Sequence, residues 1–190
     1  MSGYDDEIWE LVPEDAEPPS HLAEFVRERP EVERALDLGA GDGRLSRELR
    51  AAELVLADVS SVALARARKR LPDAAKVRLE PDAPLPFDDS SFDLVLCAET
   101  IEHVRDVQLL LSEIRRVLRP GGTLAISTPA HGRLTGLAVL ARGFERLFDP
   151  LSPHLRFFTR RSLRAVLDGG GFDVHSVRRH RATLFALATR

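Results

Sequence analysis

The sequence predicts an α/β fold: a mainly parallel, seven-stranded sheet with an antiparallel last strand and helices on both faces. Three observations carry that expectation. Short apolar runs alternate with helix-length segments, the mark of βαβ units. A glycine-rich turn, Gly39-Ala40-Gly41-Asp42-Gly43, follows the first of those runs. The chain then closes on two apolar runs, Phe172 to Val177 and Thr183 to Ala188, spaced as a hairpin.

The first strand is read as Arg34 to Leu38 and the second as Glu53 to Ala57, with a short helix near Arg44 to Ala51 between them. A helix from Ser60 to Leu71 is closed by Pro72, and a brief third strand covers Lys76 to Leu79. Asp93 to Ala98 is the fourth strand. Val107, Leu110, Leu111, Ile114, Val117 and Leu118 recur at spacings of three and four, which predicts an amphipathic helix. Arg119-Pro120-Gly121-Gly122 is expected to break it before a fifth strand, Thr123 to Thr128. Thr159 suits the N-cap of a helix from Arg160 to Leu167, and Gly169-Gly170-Gly171 ends that helix before the hairpin.

The reading is therefore one domain over residues 1–190. Residues 31–128 form a ligand-binding core and residues 159–190 a closing helix and hairpin. Residues 1–30, with Trp9, Pro13, Pro18 and Pro19, are expected to form an N-terminal lid or helix. Residues 129–158 form an insertion with a helix around Leu134 to Phe148. These two stretches lie outside the alternation, so specificity is expected to reside there.

Composition excludes several classes of protein. At 44% apolar and 30% charged residues, the chain can bury a core and is neither disordered nor fibrous. The single cysteine, Cys97, excludes an internal disulfide and a cysteine zinc site. No apolar run approaches the length of a membrane span, and the acidic start does not resemble a signal peptide, so a cytoplasmic protein is expected. The net charge of -3 hides an asymmetry. Up to Ala130 there are 16 basic and 26 acidic side chains, and from His131 onward 11 and 4. A basic last third suits an anionic acceptor as well as a solvated surface.

Glycines in a strand-to-helix turn let the backbone bend sharply and approach a ligand where a β-carbon would collide. Asp58 ends the second strand, 21 positions after Asp37, where a carboxylate can accept hydrogen bonds from a ribose diol. The pair points to an adenosine-containing ligand. A dinucleotide is disfavoured, because the third glycine of G-x-G-x-x-G is replaced by Arg44.

Four ordered segments resemble the motifs of class I S-adenosylmethionine-dependent methyltransferases. They are Asp37-Leu38-Gly39-Ala40-Gly41-Asp42-Gly43, Val55-Leu56-Ala57-Asp58-Val59-Ser60, the run from Leu85-Pro86-Phe87 to Cys97, and Leu118-Arg119-Pro120-Gly121-Gly122-Thr123-Leu124. Together they span about half the chain. The resemblance, closest to the methyltransferase type 11-like group, implies a Rossmann-like fold. It also implies S-adenosyl-L-methionine as methyl donor and S-adenosyl-L-homocysteine as product. By the same resemblance, Gly39, Ala40 and Gly41 line the methionine portion and Asp37 orients its amino-acid end. Asp58 holds the ribose and Val59 covers the adenine. Glu80 or Asp82, beside Ala83, reaches the adenine amino group; the spacing there departs slightly from the commonest form of the family. Cys97 and Ala98 offer backbone groups.

Glu99, Glu102 and His103 would share one face if they form a helical turn, aimed over the strand tips. His103 is then a candidate general base. Glu99-Thr100-Ile101-Glu102-His103 is also similar to the metal-associated motif of ubiquinone-pathway O-methyltransferases and small-RNA 2′-O-methyltransferases. A divalent metal held by Glu99, Glu102 and His103 is therefore a secondary expectation. His131, His154, Arg156 and Phe157 are further candidates to meet the acceptor. The favoured acceptor is a small molecule with an oxygen or nitrogen nucleophile. An RNA acceptor and a non-catalytic cofactor-binding partner protein are the rivals; the sequence assigns no oligomeric state.

Overall fold

The computed structural model describes residues 2–132 and 155–190. Seven strands form one sheet: β1 Val32–Leu38, β2 Ala51–Asp58, β3 Ala75–Arg78, β4 Phe92–Ala98, β5 Leu118–Pro129, β6 Asp173–His180 and β7 Thr183–Thr189. Their order is β3-β2-β1-β4-β5-β7-β6. β1 to β5 pair in parallel, and β7 runs antiparallel between β5 and β6. The order reverses between β1 and β4. At such a switch point, connections leave in opposite directions and a crevice opens beyond the strand tips.

The central strands are apolar on both faces because helices cover both, as expected of parallel sheets. Leu36, Val55, Val95, Cys97, Leu124 and Ile126 face one side, packing with α4 (Val107–Val117) and α5 (Arg160–Gly169). Ala35, Leu94, Leu96 and Ala125 face the other, where α2 (Ser20–Arg27) inserts Leu22, Phe25 and Val26. α3 (Ser61–Arg70) covers Leu56 through Ala67, and α1 (Ser2–Leu11) lies against α3.

Caps explain where the helices start. Ser60 accepts a hydrogen bond from the Ala63 amide, Asp106 from that of Leu109, and Thr159 from that of Ser162. Each is worth about 1 kcal/mol. The α4 stripe is as predicted, with Val107, Leu111, Ile114 and Val117 buried.

Two local expectations need correction. The helix near Arg44 to Ala51 is only a 3₁₀ turn, Ser46–Glu48. β2 already begins at Ala51, which leaves the connection too short for more. The Arg119-Pro120-Gly121-Gly122 break belongs to β5 itself. There the β4–β5 register shifts between Phe92 and Leu94, and Gly121 takes a φ of 78°. Gly121 donates to the carbonyl of Arg190 and Gly122 accepts from its amide, so the chain end takes up the backbone groups. The helix expected around Leu134 to Phe148, and His154, lie outside the described residues.

Candidate functional site

A cavity of about 570 Å³ opens beyond the tips of β1 to β4, within the size range of small-molecule sites. The residues directly after four strands line it: Gly39 after β1, Val59 after β2, Leu79 after β3 and Glu99 after β4. Asp58, Glu80, Asp82, Ala83 and His103 complete the expected members that reach it, and α1 and α4 supply side walls.

Asp58 is buried, and its two oxygens accept from the Gly41 amide at 2.7 Å and the Ser60 amide at 2.8 Å. It thus ties the glycine turn to the start of α3. A carboxylate offers about four acceptor sites, so backbone bonding at the two oxygens is compatible with a ribose contact.

The glycines answer first to protein neighbours. Gly39 and Gly41 have φ values of 76° and 55°, which side chains rarely adopt. A β-carbon on Gly39 would collide with Thr100, and one on Gly41 with the indole of Trp9. Both glycines therefore make room for side chains of the protein itself. Neither Gly41 nor Ala40 lines the cavity, and Trp9 stands between the turn and the open space.

Trp9 arrives on α1, which polar contacts hold to α3. Asp6 accepts from the Ser60 and Ser61 hydroxyls and from the Val62 amide. Those bonds hold the Asp6 carboxyl below its ordinary pKa. Arg66 donates to the carbonyl of Val12. Ile8, Trp9 and Val12 thereby become an apolar wall of the cavity. Sequence periodicity could not reveal this, because the segment contacts α3 through side chains distant in sequence.

Asp37 lies under the turn, not in the cavity. It is 2% exposed and accepts from the Ser46 hydroxyl at 2.6 Å. Burial pushes its pKa up to about 7; the Ser46 bond opposes this and the nearby charge of Asp58 adds to it. Cys97 and Ala98 also stay outside the cavity. Burial drives the Cys97 thiol well above its usual range, so it is inert, and the Ala98 carbonyl accepts from Thr100.

Both candidates for the adenine contact are present at the mouth. Asp82, at a φ of 56°, pairs with Arg105 at 3.4 Å; Glu80 is exposed beside it. The loop that follows is clamped from α4. Arg116 donates to the carbonyls of Leu85 and Phe87 and pairs with Asp89, while Glu113 accepts from the Leu85 amide.

The segment after β4 departs from expectation. It is a turn, with Glu99 at a φ of 51° and the His103 amide bonded to the Thr100 carbonyl, so the three side chains do not share a helical face. Glu99 lines the cavity and accepts from the Ser127 hydroxyl at 2.8 Å; burial raises its pKa. Glu102 turns inward, 1% exposed, to accept from the Thr128 hydroxyl at 3.0 Å. Burial, aided by the Glu99 charge, pushes its pKa up to about 8. His103 faces the cavity with its Nε2 3.9 Å from Glu102. Among the described residues no group of three His, Cys, Asp or Glu side chains converges as a metal site. The carbonyl of Glu102 accepts from the amides of Leu155 and Arg156, which docks the returning chain so that Leu155 lines the cavity. His131 instead packs edge-on against Phe157, at 4.9 Å between ring centroids.

Residues 36–126 match the methyltransferase domain family model. That segment therefore carries a methyltransferase domain. Among the curated relatives, a demethylmenaquinone methyltransferase of Clavibacter sepedonicus is 38% identical over 65% of the chain and 51% of the relative. A malonyl-[acyl-carrier protein] O-methyltransferase of Methylococcus capsulatus is 34% identical over 83% of the chain and 60% of the relative. The chain thus spans only a third to three-fifths of the length of the relatives it matches. A putative methyltransferase solved with the Trm112 activator of Haloferax volcanii shares the fold, with a TM-score of 0.72 at 20% identity, covering 90% of this chain and 87% of the other. Among the described residues no helix is long and apolar enough to cross a membrane.

Proposed function

We propose that this methyltransferase moves the methyl group of S-adenosylmethionine to an oxygen or nitrogen nucleophile of a small-molecule acceptor. The observation that carries this reading is the cavity itself. It presents Gly39, Asp58 and Val59 on the β1–β2 side and Glu99 and His103 on the β4 side. The residues fit the donor: a side-chain-free approach at Gly39, a carboxylate at Asp58 for ribose hydroxyls, apolar cover from Val59 and Leu79, and Glu80 or Asp82 at the rim for an adenine amino group.

When bound, the donor supplies an electrophilic methyl on a sulfonium. The protein's part is to hold the acceptor in line and to exclude water, and alignment alone contributes on the order of 7 to 11 kcal/mol in ideal cases. Trp9, Val12, Leu109 and Leu155 form the apolar walls that exclude water. His103, facing the cavity with the Glu102 carboxyl group behind it, accepts the proton lost by a hydroxyl or amine. The acceptor we infer is anionic, given the basic last third of the chain.

Calorimetry with S-adenosylmethionine and S-adenosylhomocysteine, followed by tritium transfer from labelled donor into metabolite pools and RNA, tests the reading. Saturable binding with label in a small molecule supports it. Label in RNA alone makes the acceptor wrong, and binding without transfer to any pool makes the chain a cofactor-binding partner.

A further inference from the structure

A second cavity, of about 630 Å³, opens on the same edge of the sheet, beyond β5. Its walls come from the residues just after β5, the start of α5, and the turn between β6 and β7. Arg160, Arg161, Arg179 and Arg181 all line it, and among the described residues no lining residue is acidic. Several arginines elsewhere meet carboxylates: Arg44 with Asp42, Arg116 with Glu113, Arg119 with Asp93. Among the described residues, none of the four cavity arginines forms an ion pair.

The backbone serves this arrangement. Arg181 sits at a φ of 53° in the turn, a conformation that glycine adopts without strain and that a long side chain does not favour. Its carbonyl accepts from the Arg179 Nε at 2.8 Å, which sets the direction of that guanidinium. A β-carbon on Gly132 would stand 3.8 Å from the Arg179 guanidinium, so the group reaches across to the chain that leaves β5. Guanidinium forks match phosphate oxygens in pairs, and several in one concavity focus a positive field there.

We propose that this second cavity binds the phosphate or diphosphate group of a small molecule. Resting on the methyl-transfer reading above, it defines the acceptor class: a phosphate-bearing acceptor anchored here, with its nucleophile in the first cavity. The two cavities are close enough. Leu155 lines the first and Thr159 the second, and four residues span at most about 14 Å. A concave site suits one or two phosphates better than the extended backbone of a nucleic acid.

Calorimetry of the full chain with inorganic pyrophosphate at about 50 mM salt tests this. Saturable binding is expected, weakened about tenfold by Arg179→Ala and by Arg181→Gly, with affinity for S-adenosylmethionine unchanged. Arg181→Gly keeps the turn and relieves its strain, so it is expected to fold at least as well as the native chain. No saturable pyrophosphate binding, or equal binding by both folded variants, overturns the proposal. So does arginine-dependent binding of a single-stranded RNA oligonucleotide that pyrophosphate does not displace. A phosphate-free acceptor, turned over equally by native protein and by both variants, overturns the link to the acceptor. If pyrophosphate binds but S-adenosylmethionine does not, the methyl-transfer reading fails and the phosphate site stands.

Discussion

Asp58 accepts a 2.7 Å hydrogen bond from the backbone amide of Gly41, so the residue expected to hold a ribose also holds the glycine turn in place. Asp58→Ala removes the acceptor of two buried amides as well as the ribose contact. We expect a stability loss of about 1–3 kcal/mol together with a loss of donor affinity of about 1.5–3 kcal/mol. Thermal melts and calorimetry on the same variant separate the two, and normal affinity in a folded Asp58→Ala would remove Asp58 from the site.

Trp9 and Gly41 are coupled by contact, since the indole fills the space of a Gly41 β-carbon. Gly41→Ala is expected to destabilise by about 1–2 kcal/mol from backbone strain alone, and by more in the presence of Trp9. In a Trp9→Ala background the excess should vanish while the strain remains, giving a non-zero coupling in a double-mutant cycle. An additive cycle would mean that α1 does not pack on the turn.

Trp9 is the single tryptophan of the chain and lines the cavity, which makes it a native reporter. Saturation with S-adenosylhomocysteine should shift its emission, and Trp9→Phe should abolish the signal without abolishing binding measured by calorimetry. Binding with no spectral change would detach α1 from the site.

Asp37 should make the protein less stable as pH rises. Its folded pKa of about 7 lies above the ordinary 3.8, so the folded state binds more protons between those values. Stability is therefore fully present below about pH 4 and is lost as pH rises through about 7. For this buried group the effect reaches at most about 4 kcal/mol. Asp37→Asn retains an acceptor for Ser46 and removes the charge, so its advantage over the native protein should appear at about pH 8 and vanish at about pH 4. Melting curves at both values check this; a constant difference would place the Asp37 pKa in the normal range.

His103→Ala should lower the methyl-transfer rate by about 100- to 10,000-fold if it is the base, with donor affinity nearly unchanged. The loss should shrink at high pH, where the acceptor deprotonates unaided. Chelators should leave the native rate alone; a rate that chelation abolishes and manganese restores would instead favour the metal reading. If neither treatment alters turnover, alignment and desolvation suffice.

Much of the fold was legible because parallel strands buried on both faces read as short apolar runs, and because α4 and α5 carry apolar residues at helical spacing. The position of the cavity was legible where it depends on backbone next to a strand end: Gly39, Asp58, Val59 and Glu99 all follow or finish strands, and strand tips converge by topology. The segment after β4 was misread because spacing alone cannot tell a helical turn from one opened by a positive φ at Glu99.

By itself, then, the sequence determined the order of strands and helices, the glycine turn with its acidic partner, and the family whose motifs they resemble. Local patterns of burial and backbone freedom are written in neighbouring residues, so they survive without coordinates. Only the tertiary structure decided that Trp9 occupies the space over Gly41, that Asp37 lies beneath the turn, and that Glu102 turns inward to Thr128. It alone gathers Arg160, Arg161, Arg179 and Arg181 around one cavity. These are contacts between segments dozens of residues apart, set by how helices and turns pack across the sheet, and no periodicity records them.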